Sequence, residues 1–544
     1  MSADARSGGR LAAEVLRRHS VDTVFTLSGG HLFPLFDGCV QEGIRLVDTR
    51  HEQTATFAAE GWAKVTRRPG VAALTAGPGV TNGVSAITAA WLNGSPLLVV
   101  GGRAPAARWG AGSLQELDHV PIVRSVTKHA ATSATTEAVP ADVDAALRVA
   151  RTPHRGPTFV DVPLDVFFGS AVAEVPDAPD PAALAGAEPD PGDVAKIATL
   201  VGEAERPVLM VGADVYWGGA EEVMRAFAET ARLPVLVNGL GRGTIPADHE
   251  LAFSRARSAA LKDADLVLVA GTPLDFRLGF GAFGGARVVH VCDSADGIAG
   301  HVELAGSTAG DLARTFTGLA DAVGAGARSG HESWLAELRA EETARRAAET
   351  EQLESDASPV RPSRIYGELL KRLDRDAIVV GDGGDFVSYA GKYVDTFTPG
   401  CFLDPGPYGC LGMGPGYALA AALAHPDRQV VLLLGDGAIG FSLGDLDTLV
   451  RFGVHVVAIV GNNGIWGLEK HPMQLFYGYD VVAELRPGTR YDRVMDALGG
   501  YGELVTEPAD IGPALDRAFA TDGPTLVNVL TDPADAYPRS SNLA

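Results

Sequence analysis

Short apolar strands punctuated by glycine and aspartate, with helical stretches between them, recur along this chain and leave few folds open to it. They read TVFTL (23–27), VAALTA (71–76), PLLVVGG (96–102) and TFVDVP (158–163). Next come PVLMVGA (207–213), PVLVNG (234–239), LVLVAG (266–271) and RVVHVCD (287–293). The last group is AIVVGDGG (377–384), QVVLLLGDG (429–437), VHVVAIVGNN (454–463) and TLVNVLTD (525–532). Unbroken β-branched runs suit strands buried on both faces, which means parallel sheets covered by helices. Two stretches interrupt the pattern: the Pro-, Ala- and Asp-rich 171–190, and 323–362, which holds a charged helical run and ends SPVRPS. Segments of this composition sit outside cores. The reading is α/β, with three doubly wound parallel-sheet domains over 1–170, 190–322 and 363–535 and a tail at 536–544. Ligands are expected at the carboxyl ends of the strands.

Charge narrows the function. Asp plus Glu number 68 against 45 Lys plus Arg, a net charge of -23. A nucleic-acid binder needs a basic face, so this balance argues against one, while a local basic pocket for a small anion stays open. The four cysteines (Cys39, Cys292, Cys401, Cys410) have no ligand spacing, which excludes a cysteine zinc site and suits a reducing compartment. The opening residues lack an apolar signal core, and no run of about 18 apolar residues spans a membrane. The expected location is cytoplasmic.

Chemistry concentrates in the third part. The strand at 429–434 runs into Gly435-Asp436-Gly437, and after a helix and a second strand comes Asn462-Asn463. A carboxylate and an amide oxygen at neighbouring strand ends make a hard-cation site of the Mg²⁺ type, completed by phosphate oxygens and water. Glycines at 435, 437 and 461 let backbone approach a diphosphate. This GDG…NN pattern resembles the thiamin-diphosphate motif of the acetolactate synthase and pyruvate decarboxylase superfamily. DTRHEQTATFAAEGWAK (48–64) resembles that superfamily's segment around its activating glutamate. GPGVTN (77–82) and GCLGMGPGYALAAALA (409–424) also match it. The resemblance covers essentially the whole chain, in the order pyrimidine-binding, middle and diphosphate-binding domain.

The resemblance implies that thiamin diphosphate and Mg²⁺ are the cofactors. Glu52 would activate the cofactor to its C2 ylid. Asp436 and Asn463 would ligate Mg²⁺ by side chain and Ile465 by its carbonyl. Leu411 would wedge between the two cofactor rings. Further cofactor contacts would come from Gly29, Gly30, Gly77 and Asn82 in the first part, and from Gly383, Asp385, Gly437, Ala438, Gly467 and Leu468 in the third. A homodimer or homotetramer with sites at the subunit interface follows from the same resemblance.

The substrate is less constrained. Glu469 lies six residues beyond Asn463, where decarboxylases of the superfamily carry a catalytic glutamate and acetolactate synthases an apolar residue. A carboxyl group there can shuttle protons; the plain alternative is a solvated glutamate paired with Lys470 or His471. The His-His doublet of simple 2-oxoacid decarboxylases is missing. SLQELDHV (113–120), LSGGHLFPL (27–35) and GDGGDFVSYAG (381–391) resemble the 2-hydroxyacyl-CoA lyase branch. There Gln115 would face substrate, unless it is a surface glutamine, and His31 would contact a substrate oxygen, unless it caps a strand. The leading expectation is a carbon–carbon lyase cleaving a 2-hydroxyacyl-CoA to formyl-CoA and an aldehyde or ketone. The alternatives are an acetolactate synthase-like carboligase acting on pyruvate, or an oxalyl-CoA or 2-oxoacid decarboxylase. In such relatives the middle domain holds flavin, ADP or the CoA adenine. Asp293 ends a strand like an acid that accepts ribose hydroxyls, with Arg255, Arg257 and Arg277 available for phosphates. No flavin fingerprint is present, so flavin is not favoured. In the tail, Arg539, Ser540 and Ser541 offer either phosphate contacts or simple docking of the terminus.

Overall fold

The computed structural model describes residues 5–323, 329–535 and Tyr537, so the tail residues Arg539, Ser540 and Ser541 lie outside the described residues. Three parallel sheets, each flanked by helices, make three α/β domains. The first sheet has six strands in the spatial order Arg45–Asp48, Thr23–Thr26, Gly70–Leu74, Leu97–Arg103, Pro157–Pro163, His129–Thr132. The third repeats that order with Phe402–Leu403, Ile378–Asp382, Val430–Gly435, Val457–Asn462, Thr525–Leu530 and Tyr501–Val505. The middle sheet has five strands, in the order Val235–Val237, Pro207–Val211, Leu266–Ala270, Arg287–Cys292, Gly306–Ala309. In all three, chain order reverses between the first and third strands met along the chain. That reversal opens a crevice at the carboxyl ends. The crevices fall after Thr26 and Leu74 in the first sheet, and after Asp382 and Gly435 in the third.

The central strands are buried on both faces, as their unbroken apolar runs require. The helix Glu52–Thr66 of the first domain packs on Gly414–Ala424 of the third at close range. Gly61 faces the Tyr417 backbone, and Gly416 faces the Thr54 carbonyl, with no room for a Cβ at either. This contact joins the first and third sheets in one large apolar core.

The charged run inside 323–362 departs from the linker expectation. It forms a helix, Ser329–Leu353, and buries Trp334, Leu335 and Leu338 in the middle-domain core. His331 bonds the carbonyls of Ala231 and Ala204, and Glu342 accepts from the Ser254 and Ala256 amides. Three large apolar side chains on one stripe suffice to dock a helix whose other faces are charged.

Candidate active site

The crevice of the third sheet is a cleft of about 460 Å³. Gly383, Asp385, Leu411, Asp436, Gly437, Ala438, Asn463, Ile465, Gly467, Leu468 and Glu469 all line it. Asp436 follows its strand directly and opens the helix Asp436–Ser442. Its Oδ2 accepts the Gly464 amide at 2.7 Å. Burial raises its pKa to about 6 despite that bond, and among the described residues no Lys or Arg pairs with it. A buried carboxylate without a cation, beside the oxygens of Asn463 and Ile465, is an all-oxygen donor set of the kind Mg²⁺ takes. Of the Asn pair only Asn463 lines the cleft. Asn462 is buried and donates to the Thr489 carbonyl and Asn528 Oδ1, tying the cleft strand to its neighbour. A Cβ on Gly437 would fall 2.4 Å from the Trp466 ring, so the glycine is what lets that indole close the cleft wall.

Sequence reasoning missed Asp382, at the end of the adjacent strand. It is fully buried and accepts the amides of Gly412 and Gly414 at 3.1 and 2.8 Å, which fixes the turn that presents Leu411. Burial raises its pKa to about 6. The signal was available, since Asp382 belongs to the same Gly-Asp-Gly-Gly strand end.

Glu52 is the first residue of the helix Glu52–Thr66, is buried, and accepts Asn82 Nδ2 at 3.0 Å. Asn82 rides on the helix Pro78–Leu92, whose N-cap Gly77 has φ +62°, a conformation open to glycine. The Gly77 backbone abuts Gln115, itself at φ +59°. Gly29 has no room for a Cβ, which would fall 2.3 Å from Thr75, and Gly30 starts the next turn. His31 is buried, with Nδ1 at 3.2 Å from Thr75 Oγ1; burial and nearby His119 lower its pKa. These residues gather at the carboxyl end of the first sheet, and none of them lines the third-sheet cleft.

Glu469 is exposed at the mouth of the cleft, in the first turn of Gly467–Tyr477. Of the plain alternative, the solvent exposure is present but not the pair with Lys470, which is taken by Glu484.

The nucleotide residues line two cavities that share Arg277. Asp293 lines one of about 560 Å³, and Arg255 and Arg257 line the other, of about 840 Å³. Asp293 is held by His154 Nδ1 at 3.2 Å and lies 3.8 Å from Arg155, both from the first domain; His154 also reaches Asp214 at 3.3 Å. Burial alone would lower the His154 pKa, but the two carboxylates outweigh it and raise it to about 10. Asp293 Oδ1 thus makes a domain contact with a histidine 139 positions away in sequence, while the residue still lines the cavity and its Oδ2 has no hydrogen-bond partner among the described residues. Arg255 is occupied by Glu349 and Asp395, and Arg277 by Asp275.

Three family models match the chain. They are the N-terminal TPP binding domain of thiamine pyrophosphate enzymes at residues 6–122, the central domain at 194–319, and the C-terminal TPP binding domain at 382–529. Among curated relatives, the acetolactate synthase large subunit of Mycobacterium tuberculosis is 56% identical over 100% of this chain and 99% of its own length. The 2-hydroxyacyl-CoA lyase 2 of Homo sapiens is 33% identical over 98% of this chain and 91% of its own, and that of Caenorhabditis elegans 33% over 97% and 90%. Among the described residues no helix is long and apolar enough to cross a membrane.

Proposed function

The chain belongs to the thiamine pyrophosphate enzymes, and from that premise we propose that it catalyses an acetolactate synthase-type carboligation of a 2-oxoacid such as pyruvate. The observation that carries this reading is the 56% identity, end to end, with a relative bearing that name. It reverses the order of the sequence-based expectation, which put acyl-CoA cleavage first. Thiamin diphosphate supplies a carbon nucleophile that accepts the donor's carbonyl carbon and stabilises the negative charge left there.

The protein's part is binding, orientation and proton control. Asp436, Asn463 and the Ile465 carbonyl would hold Mg²⁺ and, through it, the diphosphate. Glu52, steadied by Asn82, would hold a proton at the pyrimidine ring nitrogen. Leu411, on the turn fixed by Asp382, would support the bent cofactor. Gln115 and His31 would face substrate. Within one chain the Glu52 cluster does not line the Asp436 cleft, so we assign the complete site to two copies, each supplying one half.

A specific observation favours a second reading, cleavage of a 2-hydroxyacyl-CoA. The cavity of about 840 Å³ is lined by Arg242, Arg255, Arg257, Arg277, Arg345 and Lys392, in a chain of net charge -23. It adjoins the cofactor cleft, since Arg277 and Ser388 line both. Arg242 and Arg257 have no carboxylate partner among the described residues. Burial lowers the pKa of each, that of Arg257 to about 10, with Arg242 and Arg277 adding to it. Buried guanidinium groups facing an open cavity suit phosphate groups such as those of CoA. Glu469 at the cleft mouth adds a group for proton transfer.

The deciding experiment offers purified protein, thiamin diphosphate and Mg²⁺ either pyruvate or 2-hydroxyisobutyryl-CoA and mandelyl-CoA. Acetolactate from pyruvate with unreacted thioesters is the expected result. Formyl-CoA with ketone or aldehyde, and no acetolactate, overturns it in favour of the second reading.

A further inference from the structure

We infer that His119 is a positioning residue for the cofactor: it fixes the Gly77 backbone, and through Gly77 the placement of Asn82 and Gln115. The inference rests on the reading that the Glu52 cluster holds the cofactor pyrimidine. His119 is fully buried, and its Nε2 lies 2.9 Å from the Gly77 amide nitrogen. A backbone N–H only donates, so Nε2 accepts, and the ring proton sits on Nδ1. Nδ1 lies 3.1 Å from Asp161 Oδ2, which also accepts Arg103 NH1 at 2.8 Å. Asp161 is fully buried as well. Arg103 lies against the Trp109 ring, 3.9 Å from its centroid, and reaches Asp118 at 3.1 Å. The chain from Arg103 through Asp161 and His119 therefore ends on one backbone amide, with the imidazole tautomer fixed at both ends.

What that amide controls gives the arrangement its function. Gly77 is the N-cap of Pro78–Leu92, at φ +62° and ψ -112°, and Pro78 offers no amide of its own. Two residues on, Gly79 stands over Glu52, where a Cβ would lie 3.6 Å from Oε1, and Asn82 donates to Oε2. On its other side Gly77 touches Gln115, four residues before His119. One histidine thus ties the segment that carries Gln115 to the helix start that carries Asn82. A buried ion pair and a ring are a costly way to satisfy one amide. They are a direct way to hold two facing segments in one register.

The test combines hydrogen–deuterium exchange at the Gly77 amide with thiamin diphosphate binding, followed by tryptophan fluorescence in Mg²⁺. His119→Leu and His119→Phe remove the acceptor; His119→Gln keeps an oxygen for it. In the first two the Gly77 amide should exchange faster, and the half-saturating thiamin diphosphate concentration should rise about tenfold or more, as displacements of a binding group do. His119→Gln should restore both towards wild type. Two apolar shapes guard against one that fails to fold. Faster exchange with unchanged cofactor binding, or both quantities within twofold of wild type, would overturn the proposal. Wild-type protein with no saturable response to thiamin diphosphate would instead refute the cofactor reading on which it rests.

Discussion

Lys64→Met perturbs the contact that fixes the first domain on the third. Lys64 and Glu60 are one helical turn apart on Glu52–Thr66 and face the helix Gly414–Ala424, with 3% and 0% of their side chains exposed. Lys64 Nζ lies 3.0 Å from Glu60 Oε1 and donates to the Tyr417 hydroxyl at 2.7 Å. Glu60 Oε1 also accepts Asn93 Nδ2 and Ser95 Oγ, while its Oε2 has no hydrogen-bond partner. Removing the ammonium leaves a buried carboxylate with two neutral donors, which costs about 3–5 kcal/mol. For a domain of this size that lowers the melting midpoint by about 6–20 °C. The assay is thermal melting by circular dichroism, with urea titration as a check. Glu60→Gln in the Lys64→Met background removes the stranded charge and keeps an acceptor for Asn93 and Ser95, so it should recover at least half of the loss. A single variant within about 1 kcal/mol of wild type, or a double variant no more stable than the single, would refute the reasoning.

Glu52→Gln should lower turnover about 10²–10⁴-fold, the usual scale for a lost proton-transfer group, while thiamin diphosphate still binds; an unchanged rate would remove Glu52 from the chemistry. The His154 contact predicts a pH dependence of stability. With the histidine pKa raised from 6.5 to about 10, its contribution is fully present below pH 6.5 and is lost as pH rises through about 10. Melting midpoints across that window should fall more steeply for wild type than for His154→Gln, and parallel curves would count against the contact.

The central strands were legible because each is an apolar run buried on both faces, and Ile378–Asp382 and Val430–Gly435 end on the aspartate and glycine that open a crevice. The strands of the three sheets that sequence reasoning passed over are Arg45–Asp48, His129–Thr132, Gly306–Ala309, Phe402–Leu403 and Tyr501–Val505. All five lie at sheet edges; in four the apolar run breaks up where one side is partly exposed, and Phe402–Leu403 is buried but only two residues long. Asp436 and Asn463 were legible because strand ends carry them, whereas Glu52 was singled out by the resemblance of the segment around it. The Asp293–His154 contact was not legible, because His154 sits in another domain and no local pattern encodes that distance. His119 escaped for a similar reason. A lone histidine in SLQELDHV carries no sign of the amide it meets in GPGVTN, and only the sheet brings the two segments together.

The shared strand order of the first and third sheets bears on how the site is assembled. Both place their working residues at the same topological point, yet within one chain Glu52 does not line the Asp436 cleft. Two copies related by a twofold axis can pair the first-sheet crevice of one with the third-sheet crevice of the other, giving two equivalent sites. The test is complementation. Glu52→Gln and Asp436→Asn should each be inactive alone. In a mixed dimer of the two, one site joins the intact Glu52 to the intact Asp436, and the other holds both substitutions. Random assembly makes half of the dimers mixed, so co-expression should restore about a quarter of wild-type activity. If each chain built its own site, every site would carry a substitution and co-expression would restore nothing.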